Sequence, residues 1–198
     1  MVRREARVRR APTLVLAVAA MSVGACGGAV RAPVLPDSQL ELLDASHTGV
    51  RSLAARAPYT VFFFFSAHCP CVAAHDARLL ALYEAFRERG VQFIAVDSEV
   101  SAEPSREAAA AHEHRYPFPL LIDEGGKLAD AIGAEYASYT VVVDSRGRVH
   151  YAGGIDSDRS HLRDDAQFFV RDALIDLLAG REPRTTEGKA LGCALQKS

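Results

Sequence analysis

Two cysteines flank a single proline in the stretch Val61 to His75, read VFFFFSAHCPCVAAH. An apolar run too short to span a membrane ends at Ser66 and leads into Cys69-Pro70-Cys71, which predicts a buried strand passing into the start of a helix. A thiol there gains from unpaired backbone N–H groups and the positive end of the helix dipole, which in redox proteins lower its pKa to roughly 3.5–7.5. The thiolate is the attacking species in disulfide exchange, so Cys69 is the expected nucleophile. Pro70 suits the first helical position because its fixed φ is helical and no N–H is needed there.

The partner of Cys69 is open between two candidates. Residues two apart in a helix point nearly opposite ways, so a Cys69 to Cys71 bridge requires a distorted first turn. Cys193, on the tail, is the rival. His75 is expected to pass a proton, since an unperturbed imidazole titrates near neutrality. His68, just before the nucleophile, is expected to tune it or to line a substrate groove, together with Ser66 and Pro70.

The elements that must position these groups follow from pattern. With 198 residues, four cysteines and a net charge of -2, the chain has room for one domain with a core. Positive charge is mixed with acids throughout the domain, which argues against nucleic acid as a partner. LELLDASHTGVRSL predicts two short strands around a turn at residues 47–49, with His47 solvated. Strands are expected at 59–65, 91–96 and 118–122, with a helix at 70–89 closed by Gly90 and an alanine-rich surface helix at 102–115. A short helix at 127–132 precedes a hairpin of strands 140–143 and 149–151. Residues 162–179 are expected to form the last helix, after a solvated loop at 156–165. Asp97, Asp123 and Asp144 are read as turn and cap residues.

The ends are read separately. Arg3, Arg4, Arg7, Arg9 and Arg10 precede the apolar stretch 14–23, the layout of an export signal. Val23-Gly24-Ala25-Cys26 resembles a bacterial lipobox, which implies lipidation of Cys26. The expected domains are a signal peptide at 1–25, a lipidated tether at 26–39, the folded domain at 40–180 and an irregular tail at 181–198. The expected location is the cell envelope, lipid-anchored and facing the periplasm.

The order strand, helix, strand, helix, strand, hairpin, helix points to an α/β fold, a thioredoxin-like three-layer sandwich with a central mixed sheet flanked by helices. Phe65-Ser66-Ala67-His68-Cys69-Pro70, Tyr116-Pro117-Phe118-Pro119-Leu120-Leu121-Ile122-Asp123, and Val141-Val142-Val143-Asp144 with Gly147 resemble the redoxin branch of that fold. That branch holds TlpA-like thiol-disulfide oxidoreductases and peroxiredoxins, and Gly192-Cys193 resembles a tail pair in exported bacterial members. The resemblance implies a membrane-tethered enzyme acting on thiols and disulfides with an unidentified redox partner and no cofactor, Cys69 attacking and Cys71 or Cys193 resolving.

Departures keep two other activities in view. TlpA-like proteins often carry a glutamate where His75 stands. The thioredoxin cis-proline is replaced by Ser138, and the buried acid of the central strand by phenylalanine. A peroxiredoxin would need Pro-x-x-x-Thr/Ser-x-x-Cys, in which Ser66 fits and Phe62 replaces the proline. A copper chaperone of the SCO type would use Cys69, Cys71 and His75, with His68 as a further candidate, although that family spaces its cysteines four apart.

Overall fold

The computed structural model describes residues 33–197. The export signal and Cys26 lie outside the described residues. Eight strands form one sheet in the order β2-β1-β5-β4-β3-β6-β7-β8. They are β1 (Gln39–Glu41), β2 (His47–Gly49), β3 (Tyr59–Phe65), β4 (Val91–Asp97), β5 (Leu120–Ile122), β6 (Tyr139–Asp144), β7 (Val149–Gly154) and β8 (Glu187–Gly188). Among the described residues five α-helices connect them: α1 (Val50–Ala54), α2 (Pro70–Phe86), α3 (Pro104–Glu113), α4 (Lys127–Ile132) and α5 (Phe169–Leu178). None of the described helices is long and apolar enough to cross a membrane.

Central β3 pairs parallel with β4 and antiparallel with β6. Successive side chains of a strand face opposite sides of the sheet, and Phe62, Phe63, Phe64 and Phe65 are all buried, so both faces are covered. One face carries α2 and α5. The Phe65 ring meets His114 and Tyr116, both bonded to Asp76 of α2, and the Tyr59 hydroxyl donates to Leu177 O of α5. The other face carries α1 and α4, since Gln92 donates to Leu53 O, while Tyr139 packs on Phe64 and donates to Ile132 O. This is the expected three-layer thioredoxin-like sandwich.

Several boundaries differ from the sequence reading. The first hairpin turns at 44–46, because the Asp44 carboxylate takes both the N–H and the hydroxyl of Ser46 and Ala45 adopts a positive φ. His47 therefore opens β2, exposed, and Val50–Ala54 is helical. Pro33 to Leu35 already belong to the packed body: Leu35 is fully buried, and its N–H donates to Gly147 O.

The last helix starts at Phe169, not at 162, and the loop at 156–165 is exposed along most of 159–165 but anchored where it begins. Asp156 and Asp158 are buried against Arg78 of α2, at 2.6 and 3.0 Å. Arg163 adds its N–H and guanidinium to Asp158, at 2.7 and 3.0 Å. The backbone is committed to this clamp, and the helix begins once it is passed.

The tail is irregular apart from the two residues of β8, but it is bonded to the body of the domain. Its β8 lies parallel to β7, and a bridge joins Ala194 to Tyr136. Leu195 N–H donates to Glu135 O at 3.0 Å, and Lys197 pairs with Asp130 at 2.6 Å. Residues 192–197 thus form a strap along the segment that precedes β6.

Candidate active site

The end of β3, the start of β6 and the end of β4 share one edge of the sheet, where Ser138 N–H donates to Phe64 O at 2.8 Å and Asp97 stands in register with Phe65. Cys69 lies on this edge as the N-cap of α2, in extended conformation (φ -88°, ψ 111°), with Pro70 beginning the helix. Its carbonyl accepts from Val72 and Ala73, and its own N–H donates to Ser66 O at 3.1 Å. The N-cap backbone is held, and the thiol is left at the mouth of the helix.

The strap completes the site. Cys193 N–H donates to Cys69 Sγ at 3.3 Å, and Cys193 O accepts from Ala137 N–H at 2.8 Å. Gly192 makes this approach possible, since a Cβ there would collide with the Ala137 carbonyl. Cys69, Cys71 and Cys193 are all free, and their sulfurs lie within 4.8 Å of one another. Cys69 and Cys71 are buried and Cys193 is half-buried.

The local fields separate the thiols. Burial opposes ionisation of Cys69. The Cys193 thiol and the N–H groups of Val72, Cys193 and Cys71 outweigh it and hold Cys69 below its ordinary value. Cys193 moves the other way, pushed up to about 12 by burial and by facing the Cys69 sulfur. Of the two, Cys69 is thus the thiol whose ionisation the site favours.

His75 takes a position the sequence did not suggest. It is 1% exposed, with Nδ1 2.7 Å from Cys71 O and Nε2 3.2 Å from the Asp156 carboxylate. Both neighbours accept only, so the ring is assigned as an imidazolium donating on both sides. Burial disfavours that cation, but Asp156 and the Cys71 carbonyl raise its pKa above the ordinary histidine value. His75 therefore ties the first turn of α2 to the Asp156 clamp, and neither ring nitrogen is free to ligate or to take up a proton.

Among the other expected site residues, Ser66 is buried, while His68 and Pro70 are exposed. Ser138 is buried at a positive φ of 72°, a conformation rare outside glycine, and the described residues contain no cis peptide bond. Ser138 thus stands beside the site in a left-handed backbone conformation.

A second feature escaped the sequence reading. Asp97 is not a simple cap but lies buried, with Glu107 of α3 fully buried beside it. Glu99 N–H donates to Asp97 at 2.8 Å, whereas among the described residues no donor reaches either oxygen of Glu107. Two carboxyls buried side by side each disfavour ionisation of the other. Burial pushes Asp97 up to about 8 and raises Glu107 as well.

Residues 33–152 match the pattern of the AhpC/TSA family. Peroxiredoxin Q of Populus jackii, a chloroplast protein, is 29% identical over 99 residues, covering 46% of this chain and 45% of the relative. The chain thus spans less than half the length of the curated relatives it first matches. Among solved structures, a conserved protein of Geobacillus kaustophilus superposes with a TM-score of 0.75 at 26% identity, covering 84% of this chain and 92% of that one. A secreted disulfide oxidoreductase of Mycobacterium tuberculosis gives 0.53 at 15% identity, over 73% and 96%, a likeness of fold alone.

Proposed function

The chain belongs to the AhpC/TSA family, whose members are thiol oxidoreductases and peroxidases, and on that premise we propose that it is a thiol-disulfide oxidoreductase cycling between Cys69 and Cys193. The observation that carries the reading is the Cys193 N–H donated to Cys69 Sγ at 3.3 Å, with the two sulfurs within 4.8 Å.

The Cys69 thiolate attacks one sulfur of a substrate disulfide, forming a mixed disulfide and releasing the other sulfur as a thiolate that takes up a proton. Cys193 then gives up its proton and attacks the Cys69 sulfur. A Cys69 to Cys193 disulfide forms, and the second substrate thiol leaves. The substrate gains two electrons and the protein dithiol loses them; an external dithiol returns them by the same exchange in reverse. The raised pKa of Cys193 suits the order, since it stays protonated until Cys69 carries a leaving group.

The decisive experiment treats reduced protein with one equivalent of a small model disulfide, quenches it with acid, alkylates it and maps the link by mass spectrometry. We expect a Cys69 to Cys193 link; a dominant Cys69 to Cys71 link overturns the assignment.

The peroxidase reading is favoured by the peroxiredoxin Q relative. There Cys69 would take one peroxide oxygen as a sulfenic acid, the other leaving as water or an alcohol, and Cys193 would condense with the sulfenic acid to the same disulfide and water. Among the described residues, Cys193 N–H donates to Cys69 Sγ, and no arginine donates to that sulfur. Peroxide consumption faster than disulfide reduction would reverse the ranking.

The location proposed is the bacterial envelope, with a diacylated Cys26 as anchor. Metabolic labelling with an alkyne fatty acid is expected to tag the wild-type chain and not Cys26→Ser; equal labelling of both removes the anchor.

A further inference from the structure

Cys71 has no task in a Cys69 to Cys193 exchange, yet it is only 4% exposed and its sulfur stands with the other two. The three sulfurs come from two separate segments, the first turn of α2 and the strap. A triangle whose edges do not exceed 4.8 Å contains a point within about 2.8 Å of every corner, and metal–sulfur bonds are about 2.3 Å. A shift of a few tenths of an ångström per sulfur would bring all three onto one ion.

The donor set selects the ion. Thiolates favour soft cations, Cu(I) and Zn(II) foremost. Structural zinc is almost always four-coordinate, and among the described residues no histidine or carboxylate joins the three sulfurs. His75 is excluded by its own bonds, with both ring nitrogens engaged. Three-coordinate sulfur ligation satisfies Cu(I) without a fourth donor.

We propose that the fully reduced protein binds one Cu(I) ion through Cys69, Cys71 and Cys193, a three-sulfur site in which His75 takes no part. Each neutral thiol that ligates releases its proton to solvent, so loading weakens as pH falls. A loaded site holds the Cys69 lone pair on the metal and silences disulfide exchange. The site does not depend on the exchange reading, because it needs only the reduced sulfurs in place.

The test is an anaerobic titration of the reduced, full chain with Cu(I) against a chromogenic Cu(I) chelator, followed by X-ray absorption at the copper edge. We expect one copper per chain, three sulfur scatterers and no nitrogen. Each of Cys69→Ser, Cys71→Ser and Cys193→Ser should weaken retention by more than the roughly 10–100-fold that loss of an outer-shell partner costs. Two sulfurs, a nitrogen scatterer, retention unchanged in Cys71→Ser, or preference for Zn(II) in direct competition would each overturn the proposal. The absorption spectrum of the wild type decides the matter even if a variant fails to fold. Disulfide reduction by the metal-free wild type is measured separately, so failure of the copper site and failure of the exchange reading are told apart.

Discussion

Replacing Cys69 with serine lowers dithiol-driven reduction of a model disulfide by on the order of 1,000-fold or more. A serine hydroxyl at the same N-cap would meet the same N–H donors, but its pKa lies too far above neutrality for those donors to ionise it. The variant should also fail to form the first mixed disulfide, which separates it from Cys193→Ser, where the mixed disulfide forms and then persists. Steady-state turnover and acid-trapped intermediates of both variants check this, with circular dichroism confirming that the fold is kept. Activity of Cys69→Ser above a tenth of the wild-type value would remove Cys69 from the role of nucleophile.

The second large effect concerns stability. In the unfolded chain Asp97 titrates near 3.8, whereas in the folded chain it is pushed up to about 8. Between these values the folded protein holds a proton that the unfolded chain has released, so stability falls as pH rises. The slope is about 1.4 kcal/mol per pH unit for one proton. The contribution is fully present below about pH 4 and lost as pH passes through about 8.

The neighbours of the pair are Glu99, which pushes Asp97 further up, and Arg106, which lowers Glu107. His75, with its raised folded pKa, acts in the same direction, its contribution being lost as pH rises past 6.5. Asp156 and Asp158 are depressed, so their contribution is lost only on acidification below about 4, outside the window. Urea midpoints at pH 5, 6.5 and 8, measured in a Cys69→Ser background to remove thiol titration, should decline steadily. Asp97→Asn should flatten that decline, because the amide supplies Glu107 with a permanent donor. A midpoint that does not change across the range in that background would sink the account of a buried, protonated Asp97.

What could be read beforehand depended on whether the cause was local. The phenylalanine run of β3, the proline after Cys69 and Gly90 with its left-handed φ of 81° are each signals that act within a few residues, and each gave its element. The first hairpin went astray by a few residues because one side chain, Asp44, moved the turn. The long-range partners carried no such signal. Asp156 looks like any loop acid until Arg78 and His75 close on it from α2. Asp97 looks like a strand-end cap until Glu107 is packed beside it. The polar composition of the tail concealed a strap whose register is set by residues 134–137.

The same strap has a topological consequence. Cys69 and Cys193 lie 124 positions apart, and the segment between them runs from α2 to β8. A bond between their sulfurs would make that segment a covalent ring containing both β4 and β6. Central β3 would stay outside the ring, although it is hydrogen-bonded between those two strands. Closing a ring of this size restricts the unfolded chain by about 5 kcal/mol in the chain-entropy treatment. Oxidation would therefore clasp the middle strand between two members of one loop, and each turnover of the site would open and close that clasp.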